Sequence, residues 1–130
     1  MPLLVVEAQT PRVRQLRDED SVVVWWATPV ECASALWRRR REGLLDPSDV
    51  QAATARLRGL AQSWIEVPPS NQVREQALRL LRLHTLRAAD ALQLGAALVT
   101  SDFKPNELEF VTLDPRLAEA AEREGFRTLS

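Results

Sequence analysis

The chain has one cysteine, one histidine and one lysine among its 130 residues: Cys32, His84 and Lys104. A lone cysteine excludes an intrachain disulfide. With a lone histidine beside it, a zinc site built from His and Cys is excluded too. The four glycines are scattered and form no phosphate-cradling loop, and there is no Gly-x-Ser-x-Gly turn or Cys–His pair to supply a nucleophile. No apolar run approaches the roughly 18 residues a helix needs to span a bilayer, so no membrane association is expected. The opening Met1-Pro2-Leu3-Leu4-Val5-Val6-Glu7 lacks basic residues before its apolar part and does not read as a signal peptide. A cytoplasmic protein is the expectation. Charge of either sign is also lacking: 17 basic side chains oppose 18 acidic ones. The total therefore makes no case for nucleic acid, and any such contact has to use a local patch. Almost all the basic residues are arginine, which suits bidentate phosphate contacts but equally reflects a biased base composition.

What remains is a globular composition, 45% hydrophobic and 27% charged, in a length that supports one domain with one ordinary core. After a short apolar start, Thr10-Pro11 opens a helix to about Asp20. Val22-Val23-Val24-Trp25-Trp26 is β-branched and aromatic without alternation, the pattern of a parallel strand buried on both faces. Trp25 and Trp26 are thus expected in the core, and Trp37 and Trp64 in core or interface. Thr28-Pro29 opens a helix that closes at Arg38-Arg39-Arg40-Arg41-Glu42-Gly43, and Asp46-Pro47 opens another to about Gln62. A strand at 64–67 precedes a helix capped by Ser70, and the Ala- and Leu-rich segment from Arg87 to Val99 forms the next. Glu109 to Leu113 is a third strand, Asp114-Pro115 caps a helix through Glu124, and 126–129 is a last strand. Strands alternating with helices predict an α/β fold with a mainly parallel central sheet.

Three carboxylates stand out. Ligands of such sheets bind beyond the carboxyl ends of the strands. Glu31 lies five residues past Trp26 and Asp114 directly follows Leu113, so both belong to that edge. Each has a structural alternative. Thr28-x-x-Glu31 has capping-box spacing, and Asp114-Pro115 is a helix cap with its preferred first residue. Asp90, between Ala88-Ala89 and Ala91-Leu92, requires a partner if its helix is buried: a metal, Arg87, Arg116 or a helix amino terminus. Thr112 shares the face of Asp114 if the strand continues, where its hydroxyl orients the carboxylate or a bound water. Oxygen-only ligands suit Mg²⁺ or Mn²⁺, ions that serve phosphodiester hydrolysis. Arg38 to Arg41 point around the whole helix circumference, so they read first as a solvated helix end rather than a phosphate-binding face. His84, beside a helix end, reads as a surface residue.

With these segments in place the chain resembles the PIN-domain proteins, specifically the VapC-type toxins of bacterial toxin–antitoxin pairs. The segments that carry the resemblance are 28–36, 86–94 and 110–118, with Gly125 before the final strand. The resemblance implies a three-layer α/β/α sandwich and an Mg²⁺- or Mn²⁺-dependent endoribonuclease. It places Glu31, Asp90 and Asp114 at the metal, with Thr112 in support. It also implies a homodimer and a cognate antitoxin that blocks the site.

The departure lies at the start. The family opens with a strand ending in an aspartate, whereas Met1 to Glu7 resembles the interior of the following helix. The expectation is a single domain over 1–130 that lacks its amino-terminal strand and first acid, with the true start upstream. In the other reading, Leu3 to Val6 slips into the empty place with Glu7 as a substitute acid. A non-catalytic PIN-like module that assembles with a protein partner is the alternative function.

Overall fold

The computed structural model describes residues 3–5, 22–112 and 114–129. The helix expected from Thr10 to Asp20, together with Glu7 and Leu113, lies outside the described residues. Five short strands form one parallel sheet: β1 (Leu3–Val5), β2 (Val22–Trp25), β3 (Ile65–Val67), β4 (Glu109–Val111) and β5 (Arg127–Leu129), in the order β3-β2-β1-β4-β5. Every pairing is parallel. Among the described residues five helices connect or flank them: α1 (Thr28–Arg41), α2 (Pro47–Ala61), α3 (Asn71–Leu83), α4 (Ala88–Thr100) and α5 (Pro115–Arg123).

The start of the chain departs from the first expectation and follows the other reading for Leu3 to Val5. Leu3–Val5 is a strand, not the interior of a helix, and it sits between β2 and β4 with Leu4 opposite Val23 and Phe110. The central place that the sequence left open is therefore filled. A three-residue apolar run carries no period that separates strand from helix. Its pairing with two partners settles the matter in space.

The strand β2 shows why its sequence has no alternation. Val22, Val23, Val24 and Trp25 are all buried. Val23 and Trp25 join the larger core with Leu80, Leu94, Phe110, Leu117 and Phe126, whereas Val22 and Val24 meet Cys32, Leu60 and Trp64 on the other side. Residues of α3, α4 and α5 thus pack on one cluster, and residues of α1 and α2 on the other. Trp26 departs from the expected burial: the strand has ended, and its ring is 55% exposed. Trp37 is likewise exposed on α1. Gly125, at φ +104°, makes the left-handed turn from α5 into β5 that a side chain would strain.

The caps explain most of the helix starts. Asp46 accepts the Asp49 N–H while Asp49 accepts the Asp46 N–H, a reciprocal box ahead of Pro47. Ser70 Oγ accepts from Val73, and Asp114 accepts from Arg116. Thr28 does not follow. The N-cap of α1 is Ala27, with no side-chain cap bond, and Thr28 is wholly buried with its Oγ1 unpartnered among the described residues. The capping box expected for Thr28 and Glu31 is therefore absent, and the Glu31 carboxylate is turned to another use.

Candidate functional site

Glu31 lies in the first turn of α1, just beyond the carboxyl end of β2, where the positive end of the helix favours an anion. Its partner comes from α4: Gln93 Nε2 donates to Glu31 Oε2. Gln93 is 5% exposed, so this amide is part of the interior, and its Oε1 has no hydrogen-bond partner among the described residues. Burial pushes the Glu31 carboxyl up, the Gln93 hydrogen bond pulls it down, and the charge of Asp90 pushes it up again. The net direction is upward.

Asp90 occupies the first turn of α4. It is thus not an aspartate stranded in a helix interior but one near a helix amino terminus, where its charge is favoured. Its carboxyl is nonetheless raised, first by burial and then by the charge of Asp114. The backbone of Arg87, through a hydrogen bond, and the Arg87 guanidinium offset part of this. Of the partners expected for Asp90, Arg87 and a helix amino terminus act on it in the structure.

Asp114 is the N-cap of α5, immediately beyond β4. The wholly buried Thr112 Oγ1 accepts the Asp114 N–H at 3.0 Å, and Asp114 Oδ1 accepts the Arg116 N–H at 2.9 Å. Thr112 therefore fixes the backbone from which the Asp114 carboxylate projects. Asp114 both caps its helix and reaches Asp90 electrostatically, so the structural role does not exclude the other.

The acids form a chain of neighbours with Asp90 in the middle: it raises Glu31 and is itself raised by Asp114. Among the described residues no three His, Cys, Asp or Glu stand close enough to form a metal-holding group. Their chemistry still suits a hard divalent cation. All are oxygen donors, Mg²⁺ usually takes only one or two carboxylates and keeps its waters, and a cation offsets the burial and the lesser mutual repulsion that raise Glu31 and Asp90.

Glu31, Asp90 and Gln93 line one groove of about 460 Å³, with Ser34, Arg38 and Arg39 on its α1 side. The arginine run thus sends two of its four members toward the acids. Gln93 was not legible as a site residue. Its only sequence signal is its place one turn past Asp90, in an otherwise apolar stretch. His84 departs from expectation as well. Its side chain is 8% exposed and its Nε2 lies 2.8 Å from Glu124 Oε2, 40 residues away in sequence.

No family model matches the chain, and no curated protein matches it in sequence. Solved structures do match it. PAE2754 from Pyrobaculum aerophilum superposes with a TM-score of 0.70 at 21% identity, covering 98% of this chain and 89% of that one. FitAcB from Neisseria gonorrhoeae superposes with a TM-score of 0.62 at 18% identity, covering 100% of this chain and 97% of that one. Among the described residues no helix is long and apolar enough to cross a membrane. At such identities the likeness is one of fold: the chain shares a mixed α/β architecture with both over nearly its whole length.

Proposed function

We propose that this protein is a PIN-like, three-layer α/β/α ribonuclease that hydrolyses RNA phosphodiester bonds with Mg²⁺ or Mn²⁺, acting in the cytoplasm as the toxin of a toxin–antitoxin pair. The observation that carries the reading is the coupling of Asp90 to both Glu31 and Asp114 beside a groove with arginines on its rim. Acids whose carboxyls are raised by burial and, to a lesser degree, by one another's charge are characteristic of sites that do chemistry. The resemblance of 28–36, 86–94 and 110–118 to VapC-type toxins supplies the substrate, and with it the expectation of a homodimer and a blocking antitoxin.

In this reading Asp90, with Glu31 and Asp114, would hold the cation. The bound ion supplies Lewis-acid stabilisation of charge on the phosphodiester oxygens. The chain's own groups do the rest. Arg38 and Arg39 draw the phosphate backbone to the groove. Gln93 orients Glu31, and Thr112 fixes the backbone at Asp114. Burial raises the Glu31 carboxyl, which favours its protonated form more than in a free glutamate.

The test is RNA cleavage by the full chain with and without Mg²⁺ or Mn²⁺, alongside Asp90→Asn. The expected outcome is cleavage that needs the ion and is lost in the variant. Cleavage that survives Asp90→Asn sinks the assignment. The second reading is a non-catalytic module that binds a protein partner. It is favoured by the absence, among the described residues, of a three-donor metal group and by the engagement of Glu31 with Gln93. A chain that neither cleaves RNA nor gains thermal stability on adding either ion supports that reading.

A further inference from the structure

A further groove, of about 440 Å³, runs between the end of α3 and one face of α5. The first wall is Leu83, His84 and Thr85, and the second presents Arg116, Glu119 and Arg123. Both walls lead to the acids. Asp114 Oδ1 accepts the Arg116 N–H at 2.9 Å, and the two residues of chain between them span at most about 7 Å. Thr85 lies two residues before Arg87, whose backbone bonds Asp90.

His84 is held in one state by its neighbours. Its side chain is 8% exposed, and its Nε2 lies 2.8 Å from Glu124 Oε2. Arg79 Nη2 donates to the other Glu124 oxygen at 2.6 Å, so the carboxylate facing the ring is the ionised form. A carboxylate can only accept, so Nε2 carries the proton and Nδ1 the lone pair. Nδ1 has no hydrogen-bond partner among the described residues, yet it is not one of the buried atoms cut off from solvent. It is thus an open acceptor, fixed by Glu124, on a residue that lines the groove. The arginines differ. Arg123 is paired with Glu119 at 2.6 Å, whereas Arg116 is exposed and forms no ion pair among the described residues.

We infer that this groove reads the ribose of an RNA strand: Arg116 takes a backbone phosphate, and His84 Nδ1 accepts the hydrogen bond of a 2′-hydroxyl. The step rests on the nuclease reading, which brings a single strand to Asp90 and Asp114. A phosphodiester oxygen bears no proton and cannot donate to Nδ1. The sugar–phosphate backbone of RNA has one donor, the 2′-hydroxyl, and that of DNA has none. An imidazole fixed as an acceptor in the same groove as a phosphate-binding arginine therefore separates the two. Leu83, 56% exposed, offers the sugar an apolar contact. Arg116 positions the strand and His84 selects its sugar, and no base is read.

The test is binding of one single-stranded sequence, made as RNA, as DNA and as 2′-fluoro RNA, to the full chain without divalent ions, read by fluorescence anisotropy. RNA is expected to bind about fivefold more tightly than DNA, the worth of one hydrogen bond. The 2′-fluoro strand keeps the sugar shape of RNA but cannot donate, and is expected to bind like DNA. His84→Phe should bring RNA down to the affinity of DNA and leave DNA unchanged. Arg116→Ala, at an exposed position, should weaken all three strands and reduce the slope of log affinity against log salt by about 0.7, one single-strand phosphate. If His84→Phe does not fold, NMR of the isotope-labelled native chain decides: RNA should move the His84 Nδ1 signal and the 2′-fluoro strand should not, and equal responses overturn the assignment. Equal affinity for RNA and its 2′-fluoro form overturns the ribose reading and leaves the nuclease reading to its own cleavage test. A preference that survives His84→Phe overturns this groove. A His84-dependent preference in a chain that cleaves no RNA with Mg²⁺ or Mn²⁺ supports the groove and removes the nuclease reading.

Discussion

Gln93 of α4 donates its amide N–H to the carboxylate of Glu31 in α1, across 62 residues of sequence. This contact ties the helix that carries Asp90 to the one that carries Glu31, so both acids face one groove. Gln93→Leu keeps approximate size and leaves a half-buried carboxylate without its donor. Loss of about 1–2 kcal/mol of stability is expected at neutral pH, read by urea unfolding, with RNA cleavage reduced. Because the Gln93 bond lowers the Glu31 pKa, the variant's deficit should shrink in acid, where Glu31 is protonated. An unchanged unfolding midpoint at pH 7 would remove Gln93 from this role.

Asp90 is a site where stability and function oppose each other. Burial, followed by the charge of Asp114, raises its folded pKa. The sign follows from the protonated form being the one the fold prefers. Stability from this group is fully present below the unfolded value of about 3.9 and is lost as pH rises through the raised folded value. Asp90→Asn removes that loss while an amide oxygen still accepts from the Arg87 backbone. The variant should match the native chain in acid and exceed it at neutral pH by up to about 1 kcal/mol, allowing for partial exposure. Mg²⁺ or Mn²⁺ should raise the melting temperature of the native chain and leave the variant unmoved. A variant that is less stable at pH 7 would contradict a penalty on the charged form of Asp90.

Gly95 sets how closely α4 approaches α3. A Cβ at this position would lie 3.1 Å from the Val73 carbonyl oxygen and 3.2 Å from the Ala77 nitrogen, both backbone atoms that cannot swing aside. Alanine gains about 1 kcal/mol of helix propensity over glycine, and here the contact opposes that gain. Gly95→Val adds two methyl groups to the same gap and should cost about 2 kcal/mol or more. Chemical denaturation of the two variants checks the order, with Gly95→Val below Gly95→Ala. Equal stability of Gly95→Val and the native chain would show that the helices can part freely.

The sequence made the local devices legible. Asp46, Ser70 and Asp114 cap the helices they precede, and unbroken burial of Val22 to Trp25 follows from a run with no alternation. It was least informative where distant residues decide. Thr28 has the spacing of a capping residue, yet burial against the sheet withholds its hydroxyl and the carboxylate of Glu31 goes to Gln93. Leu3–Val5 is too short to show a period, and only its two strand partners make it central. His84 next to a helix end carries no local sign that Glu124 lies 40 residues on to receive it. For the site, the three acids were visible from junctions and composition, whereas their order, with Asp90 between Glu31 and Asp114, is a property of the fold alone.

Glu124 joins the end of α5 to α3 through two contacts. Arg79 Nη2 donates to its Oε1 at 2.6 Å, and His84 Nε2 lies 2.8 Å from its Oε2. The side chains of Glu124 and His84 are 12% and 8% exposed, so the group is shielded from solvent. Burial alone would raise the Glu124 pKa, but the Arg79 and His84 hydrogen bonds outweigh it and the net direction is down. A lowered carboxylate contributes stability above its unfolded value of about 4.3 and loses it as pH falls through the folded value. Glu124→Gln should therefore cost about 2 kcal/mol at pH 7, because Arg79 keeps its charge and loses its anion. In acid, once Glu124 is protonated in the folded chain as well, native and variant chains should converge. The exposed Arg123–Glu119 pair provides the control: its side chains are 65% and 62% exposed, so Arg123→Ala should change stability little at either pH. Urea unfolding of the three chains at both pH values makes the comparison. A Glu124→Gln deficit of the same size in acid would show that shape, not charge, is what the residue contributes.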